Sequence, residues 1–88
     1  MKDLPIYELA NVCLRDWKKP YFGAVPYLAA MQTLNSIQDT YRADSAESIV
    51  LYFLSNASAW RGQVARDVKA ELNRRLKFAK SHKYNQGY

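Results

Sequence analysis

Ala46-Glu47-Ser48-Ile49-Val50-Leu51-Tyr52-Phe53-Leu54-Ser55-Asn56-Ala57 is the stretch that decides the fold of this chain. Residues 49–54 form an unbroken apolar run, which a buried β-strand also shows. Yet Ala46, Ile49, Val50, Phe53, Leu54 and Ala57 recur at i, i+3, i+4, i+7, i+8 and i+11, the spacing of one helix stripe. Asp44 followed three residues later by Glu47 resembles a capping box with Asp in place of Ser or Thr. The flanking Ala and Ser residues also favour helix. Leu51 and Tyr52 widen the stripe, so this segment is expected to be the most buried helix and the centre of an all-α domain.

On the carboxyl side, Ser58 is a candidate N-cap for a fourth helix over residues 59–80. Trp60, Val64, Ala65, Val68, Leu72, Leu76 and Ala79 share one of its faces, with Arg66, Lys69, Asn73, Arg74 and Lys77 on the other. Glu71 and Arg75 stand at i and i+4 in the favourable order, worth roughly 0.2–0.5 kcal/mol. The turn between helices three and four looks very short. Asn56 can bond free carbonyls at the end of helix three, and Trp60 can fill the corner. Gly62 in a first helical turn costs up to about 1 kcal/mol against Ala, which a close helix crossing there would explain. Residues 81–88 have no period and are expected to be a flexible tail after a single domain at 1–80.

On the amino side, residues 4–17 read as helix one. Ile6, Leu9, Ala10, Cys13, Leu14 and Trp17 make its stripe, Asp3 its cap, and Pro20 its stop. Helix two is expected from Pro26 to about Leu34 or Ile37, with Val25, Leu28, Ala29, Met31 and Ile37 on its buried side. Residues 35–44 are polar and aperiodic, and read as a loop. The expected whole is a four-helix all-α domain.

Quoted together, Tyr21-Phe22-Gly23-Ala24-Val25-Pro26-Tyr27-Leu28, Ser45 to Ile49, Tyr52 to Ala57, Trp60-Arg61-Gly62 and Lys69-Ala70-Glu71-Leu72 resemble small uncharacterised helical proteins of bacteriophages and prophages. The likeness spans residues 17–77. It implies a bacterial or viral cytoplasmic setting. It implies no known activity and carries over no site residue.

Composition bounds the function. Apolar residues make up 49% of the 88 residues and charged ones 24%, as in globular proteins. One cysteine allows no internal disulfide, and no stretch looks like a signal peptide or a bilayer span, so cytoplasm is the expected compartment. One Cys and one His cannot build a structural zinc site. Cys13 lies on an apolar stripe and His82 in the expected tail, so neither suggests a nucleophile or base. Asp44 and Glu47 are explained as caps, and Gly23, Gly62 and Gly87 are too scattered for a phosphate loop. No catalytic residue, cofactor, metal or small-molecule substrate is expected, and the protein is read as a non-enzyme.

Two surfaces remain. The net charge of +5 is uneven: residues 1–60 carry five Lys/Arg and six Asp/Glu, whereas residues 61–88 carry eight and two, a net +6. Arg61, Arg66, Lys69, Arg74, Lys77 and Lys80 are therefore candidate nucleic-acid contacts, able to neutralise phosphates and release counterions. Tyr84 and Tyr88 could stack on bases. A helix-turn-helix over residues 45–77 offers few base-reading side chains at the start of its second helix. The second surface is aromatic. Tyr7, Tyr21, Phe22, Tyr27, Tyr41 and Tyr52 are too many to bury fully in so small a domain, and Tyr21, Phe22 and Tyr27 are the candidate interface for a protein partner or a second copy. Self-association or partner binding ranks first, nucleic-acid association second. Both readings need residues 49–54 to be helical and the arginines of 61–75 to stay in water rather than be locked against acids.

Overall fold

The computed structural model describes residues 1–86, with the backbone alone for residues 82–86. Four helices carry the fold: α1 (Ile6–Asp16), α2 (Val25–Met31), α3 (Ala46–Ser55) and α4 (Gln63–Gln86). A two-residue-by-two-residue antiparallel hairpin, β1 (Thr40–Tyr41) and β2 (Asp44–Ser45), precedes α3. The decisive stretch is thus a helix, and the pairing lies at residues 40–45. Helix α1 packs on α2 and α4, and α3 packs on α2 and α4, so α2 and α4 occupy opposite corners. The 24 residues of α4 account for most of the 44 Å long axis, since a helix rises about 1.5 Å per residue.

The core follows the helical stripes. Ile6, Leu9, Ala10 and Cys13 of α1 meet Ile49, Val50 and Phe53 of α3 and Ala65, Val68 and Leu72 of α4 in one buried cluster. Trp60 is 2% exposed and closes one end. Its ring stacks on Trp17 at 5.9 Å and meets Phe53 edge-on at 6.4 Å. Its indole Nε1 donates to Asp16 Oδ2 at 2.8 Å, which satisfies the one polar atom of the ring. As expected, Asn56 ends α3 by donating from Nδ2 to the Tyr52 carbonyl at 2.8 Å.

Most departures from the expectation lie at helix ends. Asp3 does not cap α1; Pro5 stands at its N-cap with no side-chain bond. The orphan amides of Ile6 and Tyr7 donate instead to the carbonyls of Asn35 and Leu34, at 3.0 and 2.9 Å. Those carbonyls are aimed by Asp39, whose Oδ2 accepts from the amides of Asn35 and Ser36. These two bonds hold the Asp39 carboxyl below its ordinary pKa. Helix α2 stops at Met31, short of Leu34 or Ile37, and Val25 and Ala29 point to solvent while Ala24 and Ala30 are buried. Leu14 is also exposed.

The cap of α3 is shifted by one residue. Asp44 belongs to β2, paired with Tyr41, and Ser45 is the N-cap, with Oγ accepting from the Ser48 amide at 3.1 Å. The hairpin turns through Arg42 at φ 56°, a left-handed conformation uncommon outside glycine. Residues 56–62 form a seven-residue connection, so Ser58 is not a helix cap and Trp60 lies before α4. Gly62 stands at φ 107°, and its carbonyl accepts the first helical bond, from Arg66, at 3.0 Å. An added Cβ there would meet nothing within 4 Å, so backbone conformation, not a helix crossing, calls for glycine. Helix α4 continues six residues past the expected end at Lys80. The expected tail therefore starts as helix, and Gly87 and Tyr88 lie outside the described residues.

Candidate functional site

The residues of the basic helix divide three ways. Lys69 is turned inward: its Nζ donates to the Ala57 carbonyl at 2.7 Å and the Trp60 carbonyl at 2.6 Å, and lies 5.9 Å from the Trp60 ring centroid. It thus braces the 56–62 connection, and partial burial lowers its pKa. Arg74 and Arg75 converge on one carboxylate. Arg74 Nη2 and Arg75 Nε each stand 2.6 Å from Glu71 Oε2, and Glu71 is only 9% exposed. Hydrogen bonds from Arg74, reinforced by Arg75 against the cost of burial, hold the Glu71 carboxyl at about 2. The Arg75 side chain is 11% exposed, and its Nη2 also donates to the carbonyls of Met1 and Lys2. One arginine of the 61–75 stretch is thus locked inside by an acid, against the requirement stated above. Arg61, Arg66, Lys77 and Lys80 remain exposed. Arg66, Lys77 and Lys80 fall on one stripe about 21 Å long, with Ala70 and Asn73 between them. Arg74, 53% exposed, flanks it with its guanidinium engaged by Glu71. The side chains of Tyr84 and Tyr88, like that of His82, lie outside the described residues.

The aromatic candidates are brought together. Tyr21 and Phe22 contact at 4.8 Å between centroids, and Phe22 is 79% exposed. Tyr21 lies over Gly23, where an added Cβ would approach its ring to 2.6 Å and the Asn56 amide oxygen to 2.8 Å. Asn56 in turn holds the Tyr52 carbonyl, and the Tyr52 ring packs on Tyr27 at 5.6 Å. The patch therefore runs from the α1–α2 loop across α2 onto α3. Val25 extends it from α2, one turn from Phe22, and Leu51 extends it along α3.

Leu51 and Tyr52 were expected in the core and are more than half exposed. Helix α3 is apolar from Ile49 to Leu54, but its neighbours bury only Ala46, Ile49, Val50 and Phe53. Its open side shows Ser48, Leu51, Tyr52 and Ser55, and that of α2 shows Val25, Pro26, Ala29 and Gln32. Partly exposed Glu47 borders this face one turn before Leu51, and the rest of it carries no charge: residues 20–38 and 48–60 contain no Asp, Glu, Lys, Arg or His. Those two charge-free stretches were the available signal for adding Leu51 and Tyr52 to the site.

Cys13 is fully buried, and burial, with a smaller push from Asp16, raises its thiol pKa to about 12. It stays a neutral core thiol. Among the described residues, no three His, Cys, Asp or Glu converge as metal ligands, and no helix is long and apolar enough to cross a membrane. Comparison with protein-family models, with curated proteins and with solved structures gives no match.

Proposed function

We propose that this protein is a non-enzymatic self-association module whose α2–α3 face docks on a second copy of the same chain. The observation that carries the reading is the uncharged aromatic patch of exposed Tyr21, Phe22 and Tyr52 and partly buried Tyr27, with Val25 and Leu51. Solvent-facing helix sides are ordinarily polar or charged, and contiguous apolar patches of several hundred Å² mark interaction sites. With about 200 Å² per aromatic side chain, the exposed parts of these residues come to roughly 500 Å². Two copies related by a two-fold axis would bury about 1,000 Å² from these residues alone, the lower limit of a specific interface. Charge supports a like partner. The net +6 of residues 61–88 would repel a second copy, but α4 sits at the corner opposite α2. Pairing through α2–α3 keeps the two basic helices apart.

Sedimentation over a wide concentration range tests this. A reversible dimer is expected, with Phe22→Ser and Tyr52→Ser together shifting it to monomer. A strict monomer at high concentration defeats the proposal. A second reading is favoured by the exposed stripe of Arg66, Lys77 and Lys80, with Arg61 beyond its start: α4 would contact nucleic-acid phosphates. Reversal of Arg66, Lys77 and Lys80 to Glu should abolish duplex binding at about 50 mM salt. No binding by the unmodified chain at that salt removes this reading.

A further inference from the structure

A groove of about 240 Å³ lies on another side of the molecule, lined by Asn35, Ser36, Ile37, Arg74, Arg75 and Phe78. Its walls differ in character. Ile37 and the half-exposed ring of Phe78 are apolar. Arg74 and Arg75 bring two guanidiniums, oriented because both are clamped on Glu71. Their donors are incompletely used. Arg74 donates from Nε and Nη2 to Glu71, and Arg75 from Nε to Glu71 and from Nη2 to Met1 and Lys2. The Nη1 group of each donates no hydrogen bond among the described residues. No buried side-chain nitrogen among those residues lacks a partner, so the unused Nη1 of the mostly buried Arg75 must reach open space.

We propose that this groove binds a small monoanion: a carboxylate carried on an aromatic ring, with the carboxylate on the unused Nη1 groups and the ring against Phe78 and Ile37. A planar carboxylate matches the fork of a guanidinium, and such charge-assisted bonds are among the strong ones. Charge sets the valence. Glu71 cancels one of the two guanidinium charges, and Asp39 sits on the same loop as Asn35 and Ser36. With two carboxylates offsetting the two guanidiniums, a phosphate dianion gains no net attraction over a monoanion, and it offers no ring to Phe78 and Ile37. Size sets the body: the volume admits one ring and a short chain, below the usual range of about 300–1,000 Å³ for larger ligands. The site is independent of the α2–α3 face.

Titration of the full chain with N-acetylphenylalanine, followed by amide NMR, is the test. Its carboxamide, acetate and inorganic phosphate are the comparison probes. Saturable one-to-one binding is expected, with shifts confined to residues 35–37 and 74–78. The carboxamide, which keeps the ring and loses the charge, should bind at least about tenfold more weakly. Acetate, which keeps the charge and loses the ring, should do the same, and phosphate should not compete. Arg74→Gln and Phe78→Ala should each weaken binding about tenfold. If Arg74→Gln fails to fold, Phe78→Ala and the acid-against-carboxamide comparison still decide. The proposal is overturned by no saturation up to about 10 mM. Equal binding of acid and carboxamide, or indifference to both substitutions, also overturns it.

Discussion

The α2–α3 face and helix α4 treat their most conspicuous side chains in opposite ways. The first leaves large apolar groups in water: Phe22, Leu51 and Tyr52 are each more than half exposed. The second takes charged groups inward. Lys69 is bonded to two carbonyls of the 56–62 connection, and Arg75 is enclosed with Glu71 and the carbonyls of Met1 and Lys2. A count of charges therefore overstates how much of α4 is available to a polyanion. A count of apolar residues overstates the size of the core. The useful contrast is between side chains whose partners lie within the chain and those whose partners do not.

Glu71→Gln should break that contrast most severely. It leaves two guanidiniums without their anion, one of them nearly buried, and should cost roughly 3 kcal/mol, read as a lowered midpoint in urea. The same carboxylate sets an acid limit. Its pKa is held at about 2 in the folded chain against an ordinary 4.5, so its contribution is complete above about pH 4.5. That contribution declines as pH falls toward 2. Glu71→Gln should flatten this part of the stability–pH curve.

Lys69→Met comes next. Two carbonyls lose their donor, and a loss of about 1–3 kcal/mol is expected in thermal unfolding. Reversing Arg66 or Lys77, both exposed, should leave stability within about 0.5 kcal/mol. Comparable losses for Lys69→Met and Lys77→Met would erase the distinction between inward and outward cations.

Gly62→Ala should cost about 1–2 kcal/mol, because φ 107° forces a Cβ toward the backbone even though the space beside it is empty. The smallest effect belongs to the aromatic face. Phe22→Ser should change the unfolding free energy of the dilute chain by no more than about 0.5 kcal/mol. A larger loss would mean that the ring is part of the fold rather than of a contact surface.

Periodicity made α1 and α3 legible, because a stripe at i, i+3, i+4 and i+7 follows from sequence spacing alone. It could not give the ends. Helix α1 starts on carbonyls from residues 34 and 35, and no local residue records that bond. The hairpin at 40–45 moved the α3 cap from Asp44 to Ser45, though both are good capping residues. Three of the candidate interface residues, Tyr21, Phe22 and Tyr27, were visible as surplus aromatics. Tyr52 was among the aromatics too many to bury, yet with Leu51 it was placed on the widened stripe of α3, because an apolar run at 49–54 does not say which side its neighbours will cover. Arg75 was read as a weak i, i+4 surface pair. Its enclosure depends on carbonyls 73 and 74 positions away in the chain.

The bonds from Ile6 and Tyr7 to residues 34 and 35 also bear on the order of assembly during translation. Helix α1 leaves the ribosome before α2, α3 and α4, yet its opening turn stays unsecured until the loop held by Asp39 has emerged. The carbonyls of Met1 and Lys2 wait longer still, for Arg75. Residues 1–7 are thus fastened only by residues made after them, and a polypeptide released before Arg75 would lack the two bonds to Met1 and Lys2.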